Sequence, residues 1–308
     1  IRWRLGSSAI TSHEAAIFPN PEYGAVLHYY LKKKPEKELK LVITDAAGNT
    51  INTYEGKKDE PKDDKEKKDD SDYPADKPRL PNESGLQRFV WSLSYDGAKS
   101  IKGAIADTGT PEAGPSINPG TYTAKLTVDG KQYTTKVIVK ADPRINPKPE
   151  DVASQEKNVL AMRSDLNSLA RAVESLRAVR TQLQARNELL KNDKAAEKLI
   201  EASKKASETL DKLEEKLHNP KAKIPYDVLA MKGGAQLYSR LVFLYNSALE
   251  SDIGPTQGEL EVYLELKQLL LKQLQEWESF KSKTLTELND QARKLDLPIV
   301  IVPKEKKE

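Results

Sequence analysis

The side chains in this sequence with reactive potential are few and scattered. It holds three histidines, His13, His28 and His218, and no cysteine, which removes thiolate nucleophiles, disulfides and Cys-ligated zinc. Glu14 follows His13, but no second histidine stands three residues further on, so the helical zinc-protease pattern fails. Ser154 and Lys157 reproduce the serine–lysine spacing of penicillin-recognising enzymes without the companion Ser-Asp-Asn and Lys-Thr-Gly segments. Asp69, Asp70 and Asp72 could gather a calcium ion, yet the glycine and terminal glutamate of an EF-hand loop are missing. No glycine-rich phosphate loop occurs, and acidic pairs are too abundant for spacing to nominate a glycosidase dyad. The expectation is a chain without catalytic residues, metal site or cofactor.

Aromatic residues offer one binding surface. Tyr23, Tyr29, Tyr30, Trp91, Tyr95, Tyr122 and Tyr133 lie on or beside alternating segments, and a flat aromatic row can stack on sugar rings. Trp91, between Phe89 and Leu93 on one face, reads as core. Tyr23, Tyr30 and Tyr95 remain as candidates for a ligand or partner surface.

The elements that must position these residues fall into two regimes. Residues 1–144 show short alternating runs, such as Val26–Leu31, Leu39–Thr44 and Phe89–Leu93. In the first run both alternating sets are apolar, which predicts a strand covered on both faces and a packed, hydrogen-bonded His28. Asp129-Gly130 between two alternating runs predicts a tight hairpin. Six or seven strands predict an immunoglobulin- or fibronectin-type β-sandwich. Within it, residues 57–81 form a charged insertion. Residues 57–73 alone hold six Lys and eight Asp or Glu, with little to bury, and are expected to be mobile. A Pro-rich hinge follows at 145–149.

Residues 150–303 predict an antiparallel four-helix bundle or long helical hairpins, with a charged tail at 304–308. Val159, Met162, Leu166, Leu169, Val173, Leu176, Leu183 and Leu190 fall on steps of three and four, with Arg180 and Asn187 filling the gaps. Ala196, Leu199, Ala206, Leu210, Leu213 and Leu217 continue that spacing. A third helix is expected from Asp227 through Gly234 and Leu237 to Ala248. The fourth opens on the capping box Thr256-Gln257-Gly258-Glu259. Ile299–Val302 either adds an edge strand to the sandwich or lies along the helices.

Composition excludes some partners. Net charge is +3 over 308 residues. Residues 150–190 carry six basic and six acidic side chains, so no helix face shows the basic excess that phosphates require, and nucleic acid is not an expected partner. No apolar run reaches the length of a membrane span. The chain opens at Ile1-Arg2-Trp3 and reads as a mature or proteolysed piece of a longer protein.

YGAVLHYYLK (Tyr23 to Lys32), GLQRFVWSLSY (Gly85 to Tyr95), PGTYTAKLTVDGKQYTTKVIVKADPR (Pro119 to Arg144) and LDLPIVIVP (Leu295 to Pro303) occur in that order. The arrangement resembles the C-terminal region of bacterial sortilin-like β-propeller proteins, often labelled glycosyl hydrolase or sialidase-like. The resemblance implies a propeller N-terminal to this region, export to the periplasm or cell surface, and a protein partner, either that propeller or a cell-surface complex. The propeller and its Asp-box turns are absent here, so no catalytic residue is carried over. The leading expectation is a non-catalytic scaffold and protein-interaction module. The alternatives are a carbohydrate-binding accessory module, which keeps a glycan as ligand, and a hydrolase with a site built where the two halves join.

Overall fold

The computed structural model describes residues 22–57, 77–106, 109–144, 147–230, 233–251 and 254–304. His13, Glu14, the 58–76 part of the charged insertion with Asp69–Asp72, residues 145 and 146 of the hinge and residues 305–308 of the tail lie outside them. Helices account for 48% of the chain and antiparallel sheets for 19%, a mixed α and β molecule. It forms two compact units, one from Ile1–Asp96 and Ser116–Lys148, the other from Gly97–Pro115 and Pro149–Glu308.

The first unit contains two antiparallel sheets. A pair joins β1 (Ala25–Leu31) to β4 (Gly85–Trp91), and β2 (Leu39–Thr44), β3 (Thr50–Glu55), β5 (Gly120–Val128) and β6 (Lys131–Val139) lie in the order β3-β2-β5-β6. The β5–β6 turn follows its sequence signal: Val128 opposes Lys131, and Asp129 and Gly130 both take positive φ, 46° and 85°. Asp129 does further work there. Its carboxylate accepts the main-chain N–H groups of Glu36, Lys37 and Glu38, clamping the β1–β2 connection.

Residues of both sheets meet in one apolar cluster that includes Leu31, Leu41, Ile43, Tyr54, Phe89, Trp91 and Tyr122. Trp91 is fully buried, its ring edge-on to Tyr122 with centroids 5.5 Å apart. Burying an indole leaves an N–H to satisfy. Trp91 Nε1 donates to Asn52 Oδ1 at 2.8 Å, and Asn52 Nδ2 donates to Asp96 Oδ1 at 2.9 Å. Lys77 closes the chain on Asp96 Oδ2 at 2.6 Å.

Two expectations for this unit are corrected. Strand β1 is not covered on both faces among the described residues: Val26, His28 and Tyr30 are exposed, because only the Leu27, Tyr29 and Leu31 face of the β1–β4 pair meets the core. His28 is therefore a surface residue. The insertion does not reach residue 81 as a purely charged segment. Leu80 is fully buried in the strand core and bridges Gly56 in parallel, because it is the one large apolar side chain among its prolines.

The second unit is built on α1 (Pro149–Leu190), a rod about 60 Å long. Pro149, assigned to the hinge by its type, is the first residue of the helix, where a missing N–H costs nothing. α1 packs against α2 (Glu197–Leu217), α4 (Leu237–Leu249) and α5 (Gln257–Phe280). Its buried set is wider than the heptad stripe and adds Ala170, Ala172, Val179 and Arg186. A single 3-10 turn at Lys194–Ala196, capped by Asp193, leads into α2.

The expected third helix is two pieces. α3 (Pro225–Ala230) ends before Gly233 and Gly234, whose φ values of 101° and 72° cannot continue a right-handed helix. Asp227 lies inside α3, where its carboxylate accepts the Lys223 N–H at 2.8 Å. The fourth helix starts at its capping box, with the Glu259 N–H donating to Thr256 Oγ1 at 3.2 Å. It runs through a π turn at Lys281–Leu285 into α6 (Thr286–Lys294). The π turn absorbs a five-residue step between the buried Phe280 and Leu285, which an α-helix could not keep on one face.

Residues 97–115 belong with the helices, not with the strands on either side of them in sequence. Ala98 and Ile101 are buried in the helical core. The segment has little regular structure, so helix side chains satisfy its backbone. Asn167 Oδ1 accepts the Lys99 N–H at 2.8 Å, Asn246 Oδ1 accepts the Thr110 N–H at 3.0 Å, and Tyr245 Oη donates to the Ala113 carbonyl at 2.7 Å. Ile299–Val302, left between two placements by its sequence, runs along α1 and α6.

Replacing the central indole, Trp91→Ala, should lower stability by about 3–5 kcal/mol, from the cavity and the stranded Asn52 amide together. A thermal or urea melt checks this, and an unchanged melt would contradict the placement of Trp91 at the centre of the strand core.

Candidate functional site

The surface proposed from sequence resolves into one sheet face and two residues elsewhere. On the β1–β4 pair, residues point alternately inward and outward. Leu27, Tyr29, Leu31, Phe89 and Trp91 pack on the strand core. Outward, Val26 lies opposite Val90, His28 opposite Arg88 and Tyr30 opposite Leu86. Tyr30 is 69% exposed and Leu86 71% exposed, so a cross-strand apolar pair stands in solvent. Arg88 at the centre of this face binds Glu22 at 2.5 Å.

Tyr23 is also well exposed, at 77%, but it precedes β1, whereas Tyr30 is its penultimate residue. Seven chain positions separate the two residues, with a bend at Tyr23 and Gly24 between Tyr23 and the strand. Tyr95 packs half-buried against the strand core and is withdrawn from this surface. Sequence alternation identified Tyr30; it missed Leu86, Val26 and Arg88, which only the register of β1 on β4 places beside it.

A second constellation was not anticipated. Glu214 in the last turn of α2 and His218 at its C-terminal cap lie four residues apart, and Arg177 and Arg180 stand one turn apart on α1. Glu214 and His218 are almost fully buried. Arg177 Nε donates to Glu214 Oε1 at 2.6 Å, and Arg180 Nη1 lies 2.7 Å from Glu214 Oε2. His218 Nε2 lies 2.9 Å from Glu214 Oε1 and 2.9 Å from Arg177 Nη2. Arg180 also pairs with Asp211 at the surface. Arg177 Nη1 donates to the Lys102 carbonyl at 2.7 Å, fastening residues 97–115 to the helices.

Burial alone would raise the Glu214 pKa, but hydrogen bonds from His218 and Arg177 and the charge of Arg180 bring it down to about 2. An ionised carboxylate hydrogen-bonded by one guanidinium group and ion-paired with a second is no proton donor at neutral pH. The cluster acts as a structural clasp. Its one sequence signal was Arg180, which with Asn187 is one of two polar residues in an otherwise apolar seam.

Among the described residues, no group of three or more His, Asp or Glu side chains is placed to hold a metal ion. A shallow groove of about 940 Å³ follows the α1–α2 junction, where Glu188, Lys191, Lys204, Glu208 and Asp211 mix both charges without converging on a point. No helix among the described residues is long and apolar enough to cross a membrane.

The clasp predicts an acid limb. Because the Glu214 pKa is lower folded than unfolded, the unfolded chain binds the extra proton between about pH 4.5 and 2. The contribution is complete above that window and is lost as pH falls through it. Glu214→Gln should cost about 3 kcal/mol at neutral pH by leaving the guanidinium groups uncompensated. It should also flatten the stability profile between pH 4.5 and 2, as urea melts across that range would register. A search of family models, curated proteins and solved structures found no match to this chain.

Proposed function

We propose that the chain is a non-catalytic scaffold and protein-interaction module. In this reading the strand half is an immunoglobulin-like sandwich and the helical half an antiparallel bundle. Together they form the C-terminal part of a larger protein exported to the periplasm or cell surface. The observation that carries the reading is the outer face of β1–β4. Tyr30 and Leu86 stand exposed as a cross-strand pair on one side of the His28–Arg88 row and Val26 stands exposed on the other, on a sheet whose other face is committed to the core. Tyrosine and arginine, here Tyr30 and Arg88, are enriched at interaction hot spots, and Val26 and Leu86 add apolar area beside them. The resemblance to sortilin-like propeller proteins supplies the partner, the propeller of the same parent protein.

A carbohydrate-binding role is the second reading, favoured by the exposure of the Tyr30 ring with His28 and Arg88 as polar neighbours on the same face. The two readings part on ligand type.

Titration calorimetry of this chain against the separately produced propeller should show a complex. The double substitution Tyr30→Ser with Leu86→Ser should weaken it at least tenfold while shifting stability by no more than about 0.5 kcal/mol, as expected for surface positions. No detectable complex would overturn the scaffold reading. Glycan-array binding that Tyr30→Ser abolishes would replace it with the second.

A further inference from the structure

The segment Leu297–Val302 sits on the helices in the manner of a bound peptide. It is extended, carries Pro298 at its second position, is followed by Pro303, and is free of charge. Two side-chain amides grip its main chain in both directions. Gln182 of α1 donates to the Ile301 carbonyl at 2.7 Å and accepts the Ile301 N–H at 3.0 Å. Asn289 of α6 donates to the Val300 carbonyl at 2.8 Å and accepts the Val300 N–H at 2.9 Å. Arg186, itself buried, donates to the Pro298 carbonyl at 3.3 Å. Each amide thus imitates one rung of a β-ladder.

Side-chain recognition is confined to one pocket. Val300 is 3% exposed in the helical core, and Leu297 and Val302 pack half-buried beside it. Ile299 and Ile301 face outward, Ile301 at 61% exposure. The slot therefore reads an extended backbone with one β-branched anchor, and the sequence it is seen to fit is its own.

The connection to α6 is short and strained. The Leu297 N–H donates to the Ala292 carbonyl and the Asp296 N–H to the Arg293 carbonyl, which closes the helix in a Schellman turn. Its left-handed position, usually glycine, is held by Asp296 at φ 54°. Opening this turn relieves that conformation and leaves the strap intact and pre-extended by its prolines. A strained hinge of few residues is the circumstance that favours exchange of an element between identical copies.

We propose that the strap is exchangeable, so that in a dimer residues 297–302 of each copy occupy the α1–α6 slot of the other. The contacts are the same in cis and in trans; the difference lies in the two-residue turn at Leu295 and Asp296. Both slots fill reciprocally, which closes the assembly as a two-fold dimer and limits its growth.

The experiment uses the full chain, with mass measured by light scattering on a sizing column. Asp296→Pro cannot adopt the positive φ and loses the N–H that closes the turn, so its dimer fraction should exceed that of the unsubstituted chain at least tenfold at equal concentration. Asp296→Gly, which accepts the turn without strain, should fall below it. Adding Val300→Asp to Asp296→Pro should return the protein to monomer. A monomeric Asp296→Pro chain with native helical circular dichroism would overturn the proposal, as would a dimer indifferent to Val300→Asp. If Asp296→Pro loses its helical signal, the unsubstituted chain decides. Refolded at high concentration it should give a dimer that Val300→Asp suppresses, and a strict monomer would overturn the proposal.

Discussion

A helix of 42 residues needs more cover than one partner provides, and the second unit is organised by that need. α1 is about 60 Å long, α2 about 30 Å and α4 about 20 Å. Its apolar positions exceed one heptad stripe, so it cannot be served by a two-stranded seam. α2, α4 and α5 each take a part. Non-helical chain meets it as well, with the 97–115 segment held at Asn167 and Arg177 and the 297–302 strap at Gln182 and Arg186.

Covering a helix with irregular chain raises a problem that covering it with another helix does not. Irregular backbone has few internal partners for its N–H and C=O groups, in 97–115 those of Ala98 with Pro111, Ala104 with Ile101 and Ala113 with Thr110, and leaving the rest dry is costly. Here polar side chains on the helices solve it by bonding main-chain atoms. Asn167, Arg177, Tyr245 and Asn246 serve one segment, Gln182, Arg186 and Asn289 the other. Several of these residues interrupt otherwise apolar faces. The Glu214 clasp joins this scheme at Arg177, which holds the Lys102 carbonyl with one nitrogen and the buried Glu214 carboxylate with another.

The strand unit follows a parallel rule on a smaller scale. Its central indole requires a hydrogen-bond acceptor inside the core, and Asn52 serves while passing its own N–H to Asp96. Phe89, tilted on Tyr54 with centroids 4.8 Å apart, fills the neighbouring space. The outer face of β1–β4 has no such partner among the described residues, and its apolar pair stands in water.

Local signals were legible wherever a short stretch of chain decides its own conformation. Asp129-Gly130, the Thr256–Glu259 cap, the spacing of Leu199 through Leu217 and the burial of Trp91 were readable because turn geometry, capping and amphipathic period are set within a few residues. The break at Gly233-Gly234 was visible as two glycines but was overridden by an apolar spacing that happened to continue across it. What tertiary structure alone decided is which non-local surfaces meet. The attachment of 97–115 to the helices, the burial of Leu80, the pairing of Tyr30 with Leu86 and the seating of Ile299–Val302 depend on contacts between residues tens to more than a hundred positions apart. Periodicity says that a face must be covered, but any apolar face of suitable size satisfies it equally. The choice among covers is made by side-chain-to-backbone hydrogen bonds whose partners become neighbours only after the chain has folded.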